Sequence, residues 1–169
     1  GMATDSSGDV WTVAGDQLFR WHANRLALVD THKTVGLPDV RLVFGERGPR
    51  VWFASSDGQL AVLDAETVSV QVFGPTDGLP GGIHVYSFCE DKDHAVWIGT
   101  SAGLIRFRNG RFDAVGVPNG LPEARVGAVI ADDDGYLWLV LDRGLARLSR
   151  SEFSESAENP THRLKYVLY

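Results

Sequence analysis

The chain of 169 residues has a single cysteine, Cys89, and no run of about 18 apolar residues of the kind that spans a membrane. One thiol cannot form an internal disulfide or supply a zinc site. Basic residues are also in the minority: 16 lysines and arginines stand against 22 acidic residues, a net charge of −6. Proteins that bind nucleic acid phosphates usually show the opposite balance, so we expect no nucleic-acid partner. Because no long apolar run is present, we also expect no membrane contact within this segment.

Glycine and tryptophan are abundant instead, with 19 and 5 residues, and both occur in an internal repeat. The triplet Gly-Leu-Pro begins at Gly36, Gly78 and Gly120, with both spacings equal to 42 residues. A second mark is a tryptophan beside a Gly- or Asp-rich turn, with spacings of 41, 45 and 41 residues: Trp11, Trp52, Trp97 and Trp138. Two interleaved marks at one period indicate a true structural repeat.

Each repeat predicts four short strands. The second repeat has apolar runs at 42–44, 51–54, 59–63 and 68–73, and the third at 85–88, 96–99, 104–107 and 111–115. The connecting segments EDKD, TSAG and RNG are typical of hairpin turns. The one segment with helical character is 149–157, and we interpret 149–158 as a solvated excursion between the third and fourth strands of the last repeat.

This period and strand number are those of a β-propeller blade. The sequence therefore predicts an all-β fold: a β-propeller segment of about four four-stranded antiparallel blades. We expect one segment over 1–169, with blades at approximately 1–38, 39–80, 81–122 and 123–169. Most propellers close with more blades, so the chain is expected to form a partial ring, or a half ring completed by a second copy.

Three motifs carry a family resemblance. Asn119-Gly-Leu-Pro, the turn Asp132-Asp-Asp-Gly, and Trp97-Ile-Gly-Thr followed by Gly103-Leu-Ile-Arg resemble the two-component regulator propeller repeat, over roughly residues 4–150. The resemblance implies a ligand-sensing or protein-interaction segment in the periplasm, the extracytoplasmic part of a membrane-anchored signalling protein such as a hybrid histidine kinase. It also implies a small-molecule or oligosaccharide ligand, and neither a cofactor nor a metal is expected.

Candidate ligand-binding residues lie in two kinds of loop at one end of the predicted blades. Arg41, His84 and Arg125 follow the Gly-Leu-Pro triplets, and the loops between second and third strands carry Asp16, Asp57, Ser101, Asp142 and Arg143. Arginine suits the capture of carboxylate or sulfate groups, and loops on a rigid scaffold often bind ligands. The alternative is that these charges only solvate a rim. Trp21, outside the repeat mark, is a further candidate for stacking on a ligand, or a packing residue at the edge of a blade.

No catalytic residues are expected, although three patterns suggest chemistry. Gly99-Thr-Ser-Ala-Gly103 matches a nucleophile elbow, but it joins two predicted strands, so we interpret it as a hairpin turn. Asp132-Asp-Asp-Gly resembles the start of a calcium loop, but Arg143 stands where that loop needs glutamate. His84 with Glu123 or Asp39 is the one acid/base pairing that a lyase-like propeller enzyme could use. A pure assembly scaffold is the other alternative function.

A four-bladed segment leaves blade faces uncovered, and such faces favour association. We therefore expect self-association, most simply as a homodimer.

Overall fold

The computed structural model describes residues 1–169 and consists mainly of antiparallel strands. They form four sheets of four strands, each a simple meander in chain order, called here blades 1 to 4. Blade 1 contains β1 (Met2–Thr4), β2 (Val10–Ala14), β3 (Gln17–His22) and β4 (Arg25–Leu28). Blade 2 contains β5 (Leu42–Gly45), β6 (Arg50–Ala54), β7 (Leu60–Asp64) and β8 (Ser69–Phe73).

Blades 3 and 4 repeat the same order. Blade 3 contains β9 (Val85–Glu90), β10 (Val96–Thr100), β11 (Gly103–Arg108) and β12 (Arg111–Val115). Blade 4 contains β13 (Ala128–Ala131), β14 (Tyr136–Leu141), β15 (Gly144–Ser149) and β16 (Val167–Leu168). The predicted all-β fold of four-stranded propeller blades is confirmed. Each proposed blade range encloses the four strands of one sheet, and we retain those ranges as proposed boundaries.

Short helical segments connect the strands. The helix α2 (Arg150–Glu158) lies between β15 and β16, where the sequence indicated an excursion, and the Ser149 hydroxyl caps it by accepting the Glu152 N–H at 3.1 Å. The helix α1 (Thr31–Thr34) follows β4 and was not predicted, because one turn shows no helical periodicity. Two 3₁₀ turns, Pro75–Asp77 and Val117–Asn119, precede two of the Gly-Leu-Pro triplets.

The chain divides into two compact units, Gly1–Thr76 with blades 1 and 2, and Asp77–Tyr169 with blades 3 and 4. In the first unit, the face of blade 1 that bears Trp11 packs on blade 2, and the ring of Trp11 meets that of Phe53 edge-on at 5.4 Å. Phe53 pairs directly with Val43 and Ala61, so these three residues share the face of blade 2 that is opposite to Trp52.

The second unit is packed by the same rule. The face of blade 3 that bears Trp97 packs on the face of blade 4 that bears Leu137 and Leu139, while Trp138 lies on the other face. Phe153 of α2 completes this core, with its ring edge-on to Trp97 at 4.8 Å. In each unit, therefore, the tryptophan face of one blade is covered by the opposite face of the next.

The Gly-Leu-Pro triplets have a structural cause. Gly36, Gly78 and Gly120 have φ values of 73°, 93° and 103°, a left-handed conformation that glycine adopts without strain. The leucine that follows is buried in each case: Leu37, Leu79 and Leu121. The triplet thus turns the chain out of one blade and fixes the start of the next.

Candidate functional site

The loop that follows Gly-Leu-Pro contacts the hairpin between the second and third strands of a blade. In blade 2, Asp39 accepts hydrogen bonds from the Arg41 Nε at 2.8 Å and from the Ser56 N–H at 3.0 Å. In blade 3, the His84 N–H donates to the Ser101 hydroxyl and the Ser101 N–H to the His84 carbonyl, both at 2.9 Å. The two predicted loop types therefore do meet at the same end of a blade.

Blade 4 has the most extensive charged network at this end. Arg125 pairs with Asp142 at 2.5 Å, and its guanidinium lies 4.8 Å from the ring centroid of Tyr86. Glu123 accepts the Asp142 N–H at 2.8 Å and pairs with the Arg143 Nε at 3.3 Å. Both arginines and Asp142 are at least half exposed, whereas Glu123 is largely buried, so the network presents two cations and one carboxylate to solvent.

Hydrogen bonds favour the charged forms of Arg125 and Asp57. The Asp142 carboxylate, followed by the Tyr86 side chain, raises the pKa of Arg125. The hydroxyl of Ser55 is the main cause of a lowered pKa at Asp57, with further hydrogen bonds from Gln59. Asp57 and Arg125 are therefore charged at neutral pH, and Arg41 and Arg125 are each oriented by a carboxylate, as a site for polar ligands requires.

Arg41, His84 and Arg125 do not occupy equivalent positions in their repeats, as the sequence had suggested that they do. Arg41 and His84 each follow a buried apolar residue, Val40 and Ile83, whereas Arg125 precedes the corresponding Val126. Trp21 lies on the face of blade 1 that is opposite to Trp11, directly across from Leu26, and it is 44% exposed. The register thus places Trp21 on a blade face and not in the loops that hold Arg41 and Asp57.

One pattern that suggested chemistry, the segment around Ser101, is structural. Ser101 lies in the hairpin between β10 and β11, with its hydroxyl engaged by the His84 N–H, so the hairpin interpretation of Gly99–Gly103 is confirmed. The carboxylate of Glu123 is engaged by Asp142 and Arg143, the partners described above. Glu123 thus has a structural role beside the β14–β15 hairpin, and the acid/base pairing of His84 with Glu123 or Asp39 stays a prediction.

The acidic turns supply hydrogen-bond acceptors for the repeated tryptophans. In every blade, an acidic residue six positions before the repeated tryptophan accepts a hydrogen bond from the indole Nε1, at 2.5–2.8 Å: Asp5 to Trp11, Glu46 to Trp52, Asp91 to Trp97 and Asp132 to Trp138. The Asp132 carboxylate also accepts the Tyr136 N–H at 2.8 Å, the hydrogen bond of an Asx-type turn. Sequence reasoning missed this pairing, although the constant spacing of six residues signals it.

Glu152, Glu155 and His162 form a cluster that the sequence did not reveal. Their ligand atoms lie within 4.8 Å of one another, a donor set that could hold a divalent cation. However, Glu152 already accepts the His162 ring nitrogen at 2.9 Å and the Lys165 N–H at 2.9 Å, and these bonds lower its pKa, that from His162 most. We interpret the cluster as a set of hydrogen bonds that fastens the segment after α2 to the helix.

Fold and loop chemistry together define a segment of a β-propeller with polar loop ends. Residues 78–102 match the profile of the family described as Two component regulator propeller. The chain thus contains a repeat of this family, as the motifs indicated. No curated protein sequence matches the chain.

Several solved structures share the fold. Extracellular domains of two putative hybrid two component systems from B. thetaiotaomicron superpose with TM-scores of 0.76 and 0.72, each at 19% identity over 99% of this chain. The chain spans 24% and 22% of those chains, about a quarter of their length. A gluconolactonase from Xanthomonas campestris matches with a TM-score of 0.59 at 16% identity, over 88% of this chain and 57% of that one. No helix of the present chain is long and apolar enough to cross a membrane.

Proposed function

We propose that this chain is an extracytoplasmic ligand-sensing or protein-interaction segment of a two-component-type signalling protein, and that it is not itself catalytic. The observation that carries the proposal is the combination of a two component regulator propeller repeat with a fold shared by extracellular domains of hybrid two component systems. A periplasmic location is part of the same proposal.

The proposed ligand site is the end of the blades where the Gly-Leu-Pro loops meet the hairpins. Arg41 and Arg125 are half exposed and each is oriented by one carboxylate, Asp39 or Asp142. A guanidinium held in this way can donate its remaining N–H groups to a carboxylate, a sulfate or vicinal hydroxyls. We therefore propose a small polar ligand, with oligosaccharides as the first class to test.

Isothermal titration against neutral, uronate-containing and sulfated oligosaccharides tests this site. We expect at least one class to bind, and the combined variant R41A/H84A/R125A to lose that binding. R111A is the control, because Arg111 is an exposed arginine at the start of β12 and not in these loops. Binding that survives in the triple variant, or that R111A abolishes equally, contradicts the proposed site.

The enzymatic alternative has its own measurement. The gluconolactonase from Xanthomonas campestris shares the fold, so hydrolysis of gluconolactone by the wild-type chain is the direct assay. We expect no turnover above the uncatalysed rate, because both carboxylates suggested as partners of His84 contact other groups: Glu123 contacts Asp142 and Arg143, and Asp39 contacts Arg41 and Ser56. Turnover that is lost in H84A would replace the sensing proposal with a catalytic one.

A further inference from the structure

The two faces of a blade have distinct roles in packing. We call the face that bears the repeated tryptophan the Trp face, and the other the opposite face. The Trp face of blade 1 is covered by the opposite face of blade 2, with Trp11 against Phe53. The Trp face of blade 3 is covered in the same way. Arg106 of β11 lies directly opposite Trp97 of β10, and its guanidinium donates a hydrogen bond of 2.7 Å to the Ser154 hydroxyl of the following repeat.

The Trp face of blade 4 is exposed to solvent. Trp138 is only half-buried, whereas Trp11, Trp52 and Trp97 are buried. Arg147 pairs with Trp138 as Arg106 does with Trp97, and lies 5.4 Å from the Trp138 ring centroid. Five large hydrophobic side chains are exposed on this face: Ile130, Tyr136, Val140, Val167 and Tyr169.

Blade 1 shows the complementary feature, an exposed opposite face. Trp21 pairs with Leu26, and Phe19 with Leu28, so all four side chains lie on the side away from Trp11. Leu26 and Leu28 are 58% and 61% exposed, and Met2 of β1 is exposed on the same face. Nine of the fifteen exposed large hydrophobic residues of the chain lie on these two faces, a concentration typical of interaction surfaces.

We propose that the Trp face of blade 4 in one copy of the chain packs against the opposite face of blade 1 in a second copy. The repeat specifies the partner, because the blade contact within each unit joins a Trp face to an opposite face, and the Trp face of blade 4 and the opposite face of blade 1 are both exposed. Such a contact is heterologous, joining different patches of two identical chains. It assigns Trp21 to this interface and is independent of the proposed ligand site.

The test is the mass of the chain in solution, by light scattering after size exclusion at micromolar concentration. We expect an assembly of two or more copies for the wild-type chain. V140E on the Trp face of blade 4 and L28E on the opposite face of blade 1 should each shift the chain to monomer. V117E is the matched control, because Val117 is 48% exposed, like Val140 at 49%, and lies on neither face. Far-UV circular dichroism checks that each variant is folded.

Mixing distinguishes the heterologous contact from a symmetric one. V140E retains a free blade 1 face and L28E a free blade 4 face, so the mixture should form a dimer although each variant alone is monomeric. A wild-type monomer means that another segment or partner covers these faces, and overturns the proposal. Assembly that persists in both single variants, or a mixture that stays monomeric, overturns it as well.

Discussion

The indole Nε1 of Trp97 donates a hydrogen bond of 2.8 Å to the Oδ2 of Asp91, six residues earlier in the chain. The other oxygen of Asp91 accepts the N–H groups of Asp93 and Ala95 at 2.9 and 3.0 Å. One buried carboxylate therefore fixes both the turn before β10 and the orientation of the largest core side chain of blade 3. The corresponding pairing in the other three blades makes it the local organising contact of the repeat.

Asp91→Ala should be strongly destabilising. It leaves the Trp97 indole N–H and two turn amides without their acceptor, and an unmet buried donor costs about 1–3 kcal/mol. We expect a loss of roughly 2–4 kcal/mol in the free energy of unfolding, measured by urea denaturation with tryptophan fluorescence. Asp93→Ala is the control, because Asp93 is more than half exposed and should change stability by about 0.5 kcal/mol or less. Equal effects of the two variants would contradict this role for Asp91.

Acid should weaken the fold through the same pairing in blade 4. The Trp138 indole, followed by the Tyr136 N–H, lowers the pKa of Asp132 from its ordinary value of 3.8. The carboxylate therefore stabilises the folded chain above the pKa of the unfolded chain, and this contribution is lost as pH falls through the lower pKa of the folded chain. We expect Asp132→Asn to be less stable than wild type near neutral pH, with the difference shrinking below about pH 4. A difference that stays constant in urea titrations across this range would contradict the assignment.

Gly36→Ala tests the turn between blades 1 and 2. Residue 36 has a φ of 73°, and a Cβ there would lie 2.8 Å from the Cγ2 of Val72. A left-handed conformation costs a non-glycine residue about 1–2 kcal/mol, so we expect at least that loss, seen as a lower melting temperature. Gly48→Ala provides the comparison, since a Cβ at residue 48 meets no neighbouring atom. A melting temperature unchanged by Gly36→Ala would show that the loop can relax.

Removal of the Arg125–Asp142 ion pair should leave stability nearly unchanged. Both side chains are at least half exposed, and exposed pairs contribute about 0–1 kcal/mol. We expect Arg125→Ala, Asp142→Ala and the double variant to unfold within about 1 kcal/mol of wild type in urea. A larger loss would identify the pair as part of the framework of blade 4, and would weaken the case for Arg125 as a residue available to a ligand.

Much of each blade could be predicted from local patterns. The strands expected at 42–44, 51–54, 85–88 and 96–99 lie within β5, β6, β9 and β10. They were predictable because short apolar runs bounded by turn residues depend only on neighbours in sequence. The candidate loops were also found, since Gly-Leu-Pro marks the same turn three times. The helix α1 was missed because a four-residue helix shows no period.

The exact partners of the candidate residues could not be predicted. Arg125 contacts Asp142 and Tyr86, and His162 contacts Glu152. These contacts depend on the path of the loops and on side-chain rotamers. The sequence suggested an equivalence of Arg41, His84 and Arg125, but the loops differ in length, so Arg125 falls before the buried residue and the other two fall after it. A shift of one residue changes the direction of a side chain, and repeat spacing alone does not resolve it.

The sequence by itself determined the repeat, the four strands of each blade, and the tryptophan that each blade places in its second strand. These features are local, since strand alternation, hairpin turns and the six-residue step from carboxylate to indole all act within one blade. Only the tertiary structure decided which tryptophans are covered. Trp97 and Trp138 occupy the same place in their repeats, but Trp97 is buried under Phe153 while Trp138 is half-buried on an uncovered face. Burial depends on what the next blade supplies, so no pattern within a single repeat encodes it.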